Sequence, residues 1–141
     1  MINMKRYETL DHTSDIGIRA FGRDETELFS NAAFAMFDNI TELNKVELKD
    51  CLEINLRAEN FEEVFVSWLR ELLYKYSAEG YLFKKFVIKK LDKTAISAMA
   101  GGEKADPERH IFKKDIKAIT YHELKLEKSK RGWTAQVIFD V

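Results

Sequence analysis

Asn60-Phe61-Glu62-Glu63-Val64-Phe65-Val66-Ser67-Trp68-Leu69-Arg70-Glu71-Leu72-Leu73-Tyr74-Lys75-Tyr76 is the stretch whose reading decides the fold class. Phe61, Val64, Phe65, Trp68, Leu69, Leu72, Leu73 and Tyr76 recur at helical spacing and form one apolar stripe. Asn60 with Glu63 has the spacing of a capping box, and Gly80 beyond the stripe is a natural terminator. The aromatic content reads as core, not as a cofactor pocket.

Working outward, the flanks change period. Val46, Leu48, Leu52, Ile54 and Leu56 keep largely to period two on the upstream side, and residues 81–91 form a strand candidate downstream. A second helix is predicted farther upstream, over residues 25–40. Asp24 and Glu27 cap it, and Leu28, Phe29, Ala32, Ala33, Met36, Phe37 and Ile40 form its stripe. Further strands are expected over residues 7–10, 16–21, 94–100 and 117–126, and along Trp133, Ala135, Val137, Phe139 and Val141. Tight turns fall at residues 91–93 and 128–132. Two amphipathic helices thus interrupt a mostly antiparallel or mixed sheet of about seven strands. Hairpins fill the second half of the chain, which argues for a single α+β domain over residues 1–141 and against a doubly wound sheet.

One stretch resists assignment to either period. Gly101-Gly102-Glu103-Lys104-Ala105-Asp106-Pro107-Glu108-Arg109-His110 holds a glycine pair and the sole proline, with alanine its only apolar side chain. It reads as an exposed loop, either a solvated connection or a segment that contacts a partner or covers a site.

Composition narrows the functional classes. The 141 residues are 45% hydrophobic and 12% aromatic, enough for one sizeable core. With 23 basic against 24 acidic residues the net charge is -1, so no global footprint for nucleic acid or membrane exists. Contact with RNA would need a local patch, and direct nucleic-acid binding is not expected. The lone Cys51 cannot form an internal disulfide, lies in a strand-like run and reads as structural. No cysteine and histidine spacing suits structural zinc. Residues 1–7 lack the apolar run of a signal peptide and no segment has the length of a membrane span, so a cytoplasmic protein is expected. P-loop, dinucleotide and nucleophile-elbow motifs are absent.

What remains is a pair of carboxylates at opposite ends of the chain. Asp15 closes Asp11-His12-Thr13-Ser14-Asp15, just ahead of an apolar strand; Asp140 sits in Val137-Ile138-Phe139-Asp140-Val141, beside the terminal carboxylate of Val141. In the last strand Asp140 shares a face with Ile138 and Gln136. Taken singly, Asp15 reads equally as a turn-closing residue and Asp140 as a solvated strand end. If the two meet, three oxygen-bearing groups converge, and a hard divalent cation relieves their repulsion. His12, three residues before Asp15, reads as a ligand, a hydrogen-bond donor behind the ligands, or a structural residue.

The run from Tyr7 to Ile18, the run Lys117-Ala118-Ile119-Thr120-Tyr121-His122 and the ending Val137 to Val141 resemble the three hallmarks of the archease family, in the same order and across essentially the whole chain. Ser14 departs from the small residue expected there, such as alanine. The resemblance implies the same α+β class. It also implies a divalent metal, whether calcium, magnesium or manganese, held by side-chain oxygens of Asp15 and Asp140 and a main-chain oxygen of Val141. His12 and Lys117 would be supporting residues. Oxygen donors this few leave the site open to water or to a partner's groups. The implied role is that of an accessory protein, not an enzyme: a partner of the RtcB-type tRNA-splicing RNA ligase that promotes its guanylylation and multiple turnover. Two other readings compete with it, a chaperone-like module with a structural metal and a small metal-dependent phosphoester hydrolase.

Overall fold

The computed structural model describes residues 5–10 and 15–141. Strands β1 (Tyr7–Leu10) and β2 (Ile16–Gly22) lead into helix α1 (Glu25–Ile40); a short 3-10 turn (Leu43–Lys45), β3 (Asp50–Arg57) and helix α2 (Phe61–Ser77) follow. The hairpins β4 (Tyr81–Leu91) with β5 (Ala95–Lys104) and β6 (Ala118–Ser129) with β7 (Gly132–Asp140) complete one α+β domain. The strands form two antiparallel sheets, ordered β1-β2-β7-β6 and β3-β5-β4. Among the described residues no helix is long and apolar enough to cross a membrane.

Both helices begin where their caps require. The Asp24 carboxylate accepts the Glu27 N–H at 2.8 Å and the Asn60 side-chain oxygen accepts the Glu63 N–H at 2.9 Å, each satisfying a donor that the first turn leaves free. After α2 the chain reverses at Gly80, whose φ of +78° suits glycine. The two apolar stripes meet: Phe29, Phe37, Phe65 and Trp68 are wholly buried, and the Trp68 indole donates to the Phe29 carbonyl at 3.0 Å. Each helix touches strands of both sheets, so one continuous core joins them, with Phe83 and Phe139 supplied from the strands.

Three strands differ from the pattern reading. β3 starts at Asp50, because Val46 is buried at the end of the 3-10 turn and Leu48 is exposed. β6 carries a bulge between Thr120 and Lys125, with Glu123 at φ 54° and the Gln136 side chain donating to its carbonyl at 3.0 Å. The largest correction concerns residues 101–110. β5 continues through Gly101, Gly102 and Glu103, all three buried, to Lys104. A Cβ at Gly102 would overlap the Leu82 carbonyl, so glycine is what lets β4 close on β5 there. Only Lys104, Pro107 and Glu108 of this stretch are exposed.

Candidate functional site

The register of the four-stranded sheet determines where the predicted residues go. Ile16 pairs with Phe139 and Gly17 with Ile138, so Asp15 and Asp140 each lie one residue beyond the last pair between β2 and β7. On the other side of β7, Ala118 pairs with Asp140, the last pair of that ladder. The Lys117 N–H donates to the Asp140 carbonyl at 2.7 Å, which sets Lys117 beside Asp140 as well. Asp15, Lys117, Asp140 and Val141 therefore share one end of three neighbouring strands. His12 lies outside the described residues.

Burial changes abruptly at this end. Val137, Ile138 and Phe139 are all buried, on both faces of β7, whereas Asp140 and Val141 are exposed and Asp15 is half-buried. No described residue makes a hydrogen bond or ion pair to the carboxylate of Asp15 or Asp140. Like charges set close together on neighbouring strands are destabilising. Two carboxylates in this arrangement, with the terminal oxygens of Val141 beside them, offer an oxygen-only donor set that a hard divalent cation could fill. The described residues contain no group of three or more His, Cys, Asp and Glu side chains that could hold a metal ion.

Lys117 is exposed, and its ammonium makes no ion pair with a described residue. His122 sits on the β6 bulge, away from the strand ends, its Nε2 3.8 Å from Glu123. Tyr121 beside it is held firmly: its hydroxyl donates to Glu63 at 2.8 Å and accepts from Arg70 at 3.2 Å, and the Arg70 guanidinium lies 4.8 Å from its ring centroid. The Glu63 carboxylate first, then burial, pushes the Tyr121 hydroxyl above its ordinary pKa of 10.0.

Pattern reading missed a second acidic centre. The Glu103 carboxylate, with 4% of its side chain exposed, accepts from the Arg109 guanidinium, from the Glu47 N–H at 2.6 Å and from His110 Nε2 at 3.0 Å. His110 Nδ1 accepts the Asp106 N–H at 2.8 Å, so its proton is on Nε2, toward Glu103. Arg109 above all, then the Glu47 N–H and His110, hold the Glu103 carboxyl far below its ordinary value against the opposing effect of burial. This centre fastens the end of β5 to the segment around Lys45–Glu47 and is structural. A Gly-Gly-Glu run with a basic pair six and seven residues on was its only trace in the sequence.

Known proteins resemble this chain in sequence and in fold. The profile of the Archease protein family (MTH1598/TM1083) matches residues 7–141. Protein archease of Pyrococcus abyssi is 43% identical over 143 residues, with 98% of this chain and 100% of that protein covered. The Methanosarcina mazei protein archease is 42% identical over 141 residues, with 97% of each covered. The solution structure of Methanobacterium thermoautotrophicum protein 1598 superimposes with a TM-score of 0.85 at 33% identity, covering 98% of this chain and all of that one. A Thermotoga maritima archease, described as a possible chaperone, gives a TM-score of 0.66 at 21% identity with both chains fully covered, and bears on the fold alone.

Proposed function

This chain belongs to the archease family, and from that premise we propose that it activates an RtcB-type tRNA-splicing RNA ligase through a divalent cation held by Asp15, Asp140 and Val141. It is an accessory protein rather than an enzyme. It raises the rate at which the ligase guanylylates its own histidine and returns the ligase to further turnovers, working in the cytoplasm. The observation that carries this reading is the convergence of Asp15, Asp140, Val141 and Lys117 at one end of β2, β7 and β6.

The roles follow from that placement. Asp15 and Asp140 supply anionic oxygens from neighbouring strand ends, and the Lys117 N–H fixes the backbone at Asp140 from the β6 side. The buried Ile138 and Phe139 hold the strand end rigid, so the carboxylates are presented outward and not folded away. When bound, a divalent cation supplies positive charge that can neutralise a triphosphate. The Lys117 ammonium adds a second, fixed cation within the same tip. Calcium, magnesium and manganese all suit such donors.

The test is guanylylation of the matched ligase with labelled GTP, at substoichiometric amounts of this protein. Wild type is expected to stimulate, and Asp15→Ala and Asp140→Ala to lose stimulation while keeping their unfolding midpoints. Titration calorimetry with manganese should show the same two variants losing the binding isotherm. One residue added after Val141 should also impair stimulation, because it moves the terminal charge without removing a side chain. Full stimulation by both alanine variants sinks the tip; no stimulation by wild type discards the ligase role.

A further inference from the structure

The outer face of the β3-β5-β4 sheet carries charge that nothing in the fold uses. Cross-strand rows Cys51–Gly101–Lys85, Glu53–Met99–Val87 and Asn55–Ser97–Lys90 lie on this face, with Arg57 opposite Ala95 at its end. Ser97 and Ala95 on the central strand leave a trough at the Arg57 end of this face, walled by β3 on one side and β4 on the other, whereas Met99 and the Leu48 side chain against Gly101 fill the other end. The two walls are separated by two strand spacings, roughly 10 Å. At the Arg57 end the trough deepens into a cleft of about 420 Å³ lined by Asn55, Arg57, Lys90, Asp92 and Ser97, among others.

Lys85 and Lys90 are exposed on the β4 wall, and the register shifts beside them admit Lys84 and Lys89. Lys93 in the adjoining turn and Arg57 across the trough complete six cations. None of the six makes an ion pair with a described residue; the Thr94 N–H first, with Arg57 near enough to help, lowers the Asp92 carboxyl pKa. Against them stand Glu53, which accepts from Asn55 at 3.2 Å, and Asp92, which accepts from the Thr94 N–H at 2.9 Å. Lysines commonly guard an open sheet edge. Here helix α1 already packs on β4, the Ser30 hydroxyl donating to the Phe86 carbonyl at 3.3 Å, and Lys85, Lys90 and Arg57 stand on the face rather than the edge. A net charge of -1 conceals this separation, because the acidic residues are spent elsewhere.

We infer that the outer face of the β3-β5-β4 sheet binds single-stranded nucleic acid by its phosphate backbone, with Arg57, Lys85 and Lys90 as the contacting cations. The trough at the Arg57 end admits a short extended segment, and the Asn55 and Ser97 side chains in the cleft offer hydrogen bonds to its sugars. No aromatic side chain lies on the face, so stacking contributes nothing, and binding is sequence-independent and steeply dependent on salt. The inference stands apart from the cation tip, which belongs to the other sheet.

Fluorescence anisotropy of a labelled oligouridylate with the full chain, across a salt series, tests it. Three phosphate contacts on a single strand predict a slope of log K against log salt near about -2. The triple variant Arg57→Gln/Lys85→Gln/Lys90→Gln is expected to bind at least about tenfold more weakly with a slope near zero, and Lys85→Gln or Lys90→Gln alone about threefold more weakly. Lys125→Gln/Lys128→Gln/Lys130→Gln on the β6–β7 hairpin makes the same change in net charge and should bind as wild type. Three results overturn the inference: no binding by wild type at low salt, equal losses in the two triple variants, or displacement of the RNA by an oligoglutamate peptide at equal charge concentration, which would assign the face to an acidic protein segment. Ligase stimulation by the sheet variant reports on the tip separately and is expected to persist.

Discussion

Glu103 and the pair Asp15 and Asp140 are both acidic positions at the ends of strands, and the protein treats them in opposite ways. Around Glu103 it supplies a guanidinium, a backbone N–H and an imidazole N–H, all within hydrogen-bonding distance of a carboxylate that water barely reaches. At the other end it leaves two carboxylates at neighbouring strand ends, Asp140 exposed and Asp15 half-buried, and gives neither side chain a described partner. A buried charge is tolerated only when compensated, so the first arrangement is what stability demands. The second gains nothing from the described residues, which fits the cation role proposed for it.

The largest way to break this comparison is Glu103→Ala. Removing one member of a buried pair strands the others, and a loss of about 3 kcal/mol in unfolding free energy is expected. Denaturant titration reads it, and ligase stimulation per folded molecule should be unchanged. A milder variant exposes the same asymmetry through pH. The Glu103 carboxyl titrates far lower folded than unfolded. Its contribution is therefore fully present above the ordinary value of 4.5 and is lost as pH falls through the folded value. Glu103→Gln should flatten the decline of stability below about pH 4.5 and leave the neutral-to-alkaline arm parallel to wild type.

The same contrast explains what could be read from the sequence. The two helices were legible because Leu28 to Ile40 and Phe61 to Tyr76 bury one face each, and that burial imposes a period. Most strands were legible for the same reason. Residues 101–104 were not: Gly101 and Gly102 enter the sheet by lacking side chains, and Glu103 is buried by virtue of partners that lie six and seven residues on in sequence. Polar burial leaves no hydrophobic signature. At the tip, residue types and family resemblance marked Asp15, Asp140, Val141 and Lys117, whereas their convergence needed the pairing of β2 with β7 and β6, which no local pattern carries.

A smaller effect sharpens the contrast from the acidic tip. If the neighbouring carboxylates repel, Asp140→Asn should stabilise the protein by up to about 1 kcal/mol in the presence of a chelator, the reverse of any substitution at Glu103. Added manganese or calcium should then raise the unfolding temperature of wild type and leave that of Asp140→Asn where it was. Equal responses of the two proteins would mean that the carboxylates are ordinary surface groups.

The smallest expected effect separates the cations of the two centres. Arg109 is bound to its carboxylate, whereas Lys117 is exposed beside Val141 with no ion pair to a described residue. Lys117→Met should change stability by less than about 0.5 kcal/mol, as surface substitutions commonly do. Its consequence lies in binding. A fixed positive charge near a cation site weakens it, so its removal should tighten manganese affinity about twofold to fivefold, equivalent to roughly 0.4–1 kcal/mol. Stimulation of guanylylation should fall at the same time if the ammonium reaches the ligase's nucleotide, because metal affinity and activation then move in opposite directions. A change in affinity without loss of stimulation would restrict Lys117 to tuning the tip, and an affinity that does not move would place its charge beyond the reach of Asp15 and Asp140.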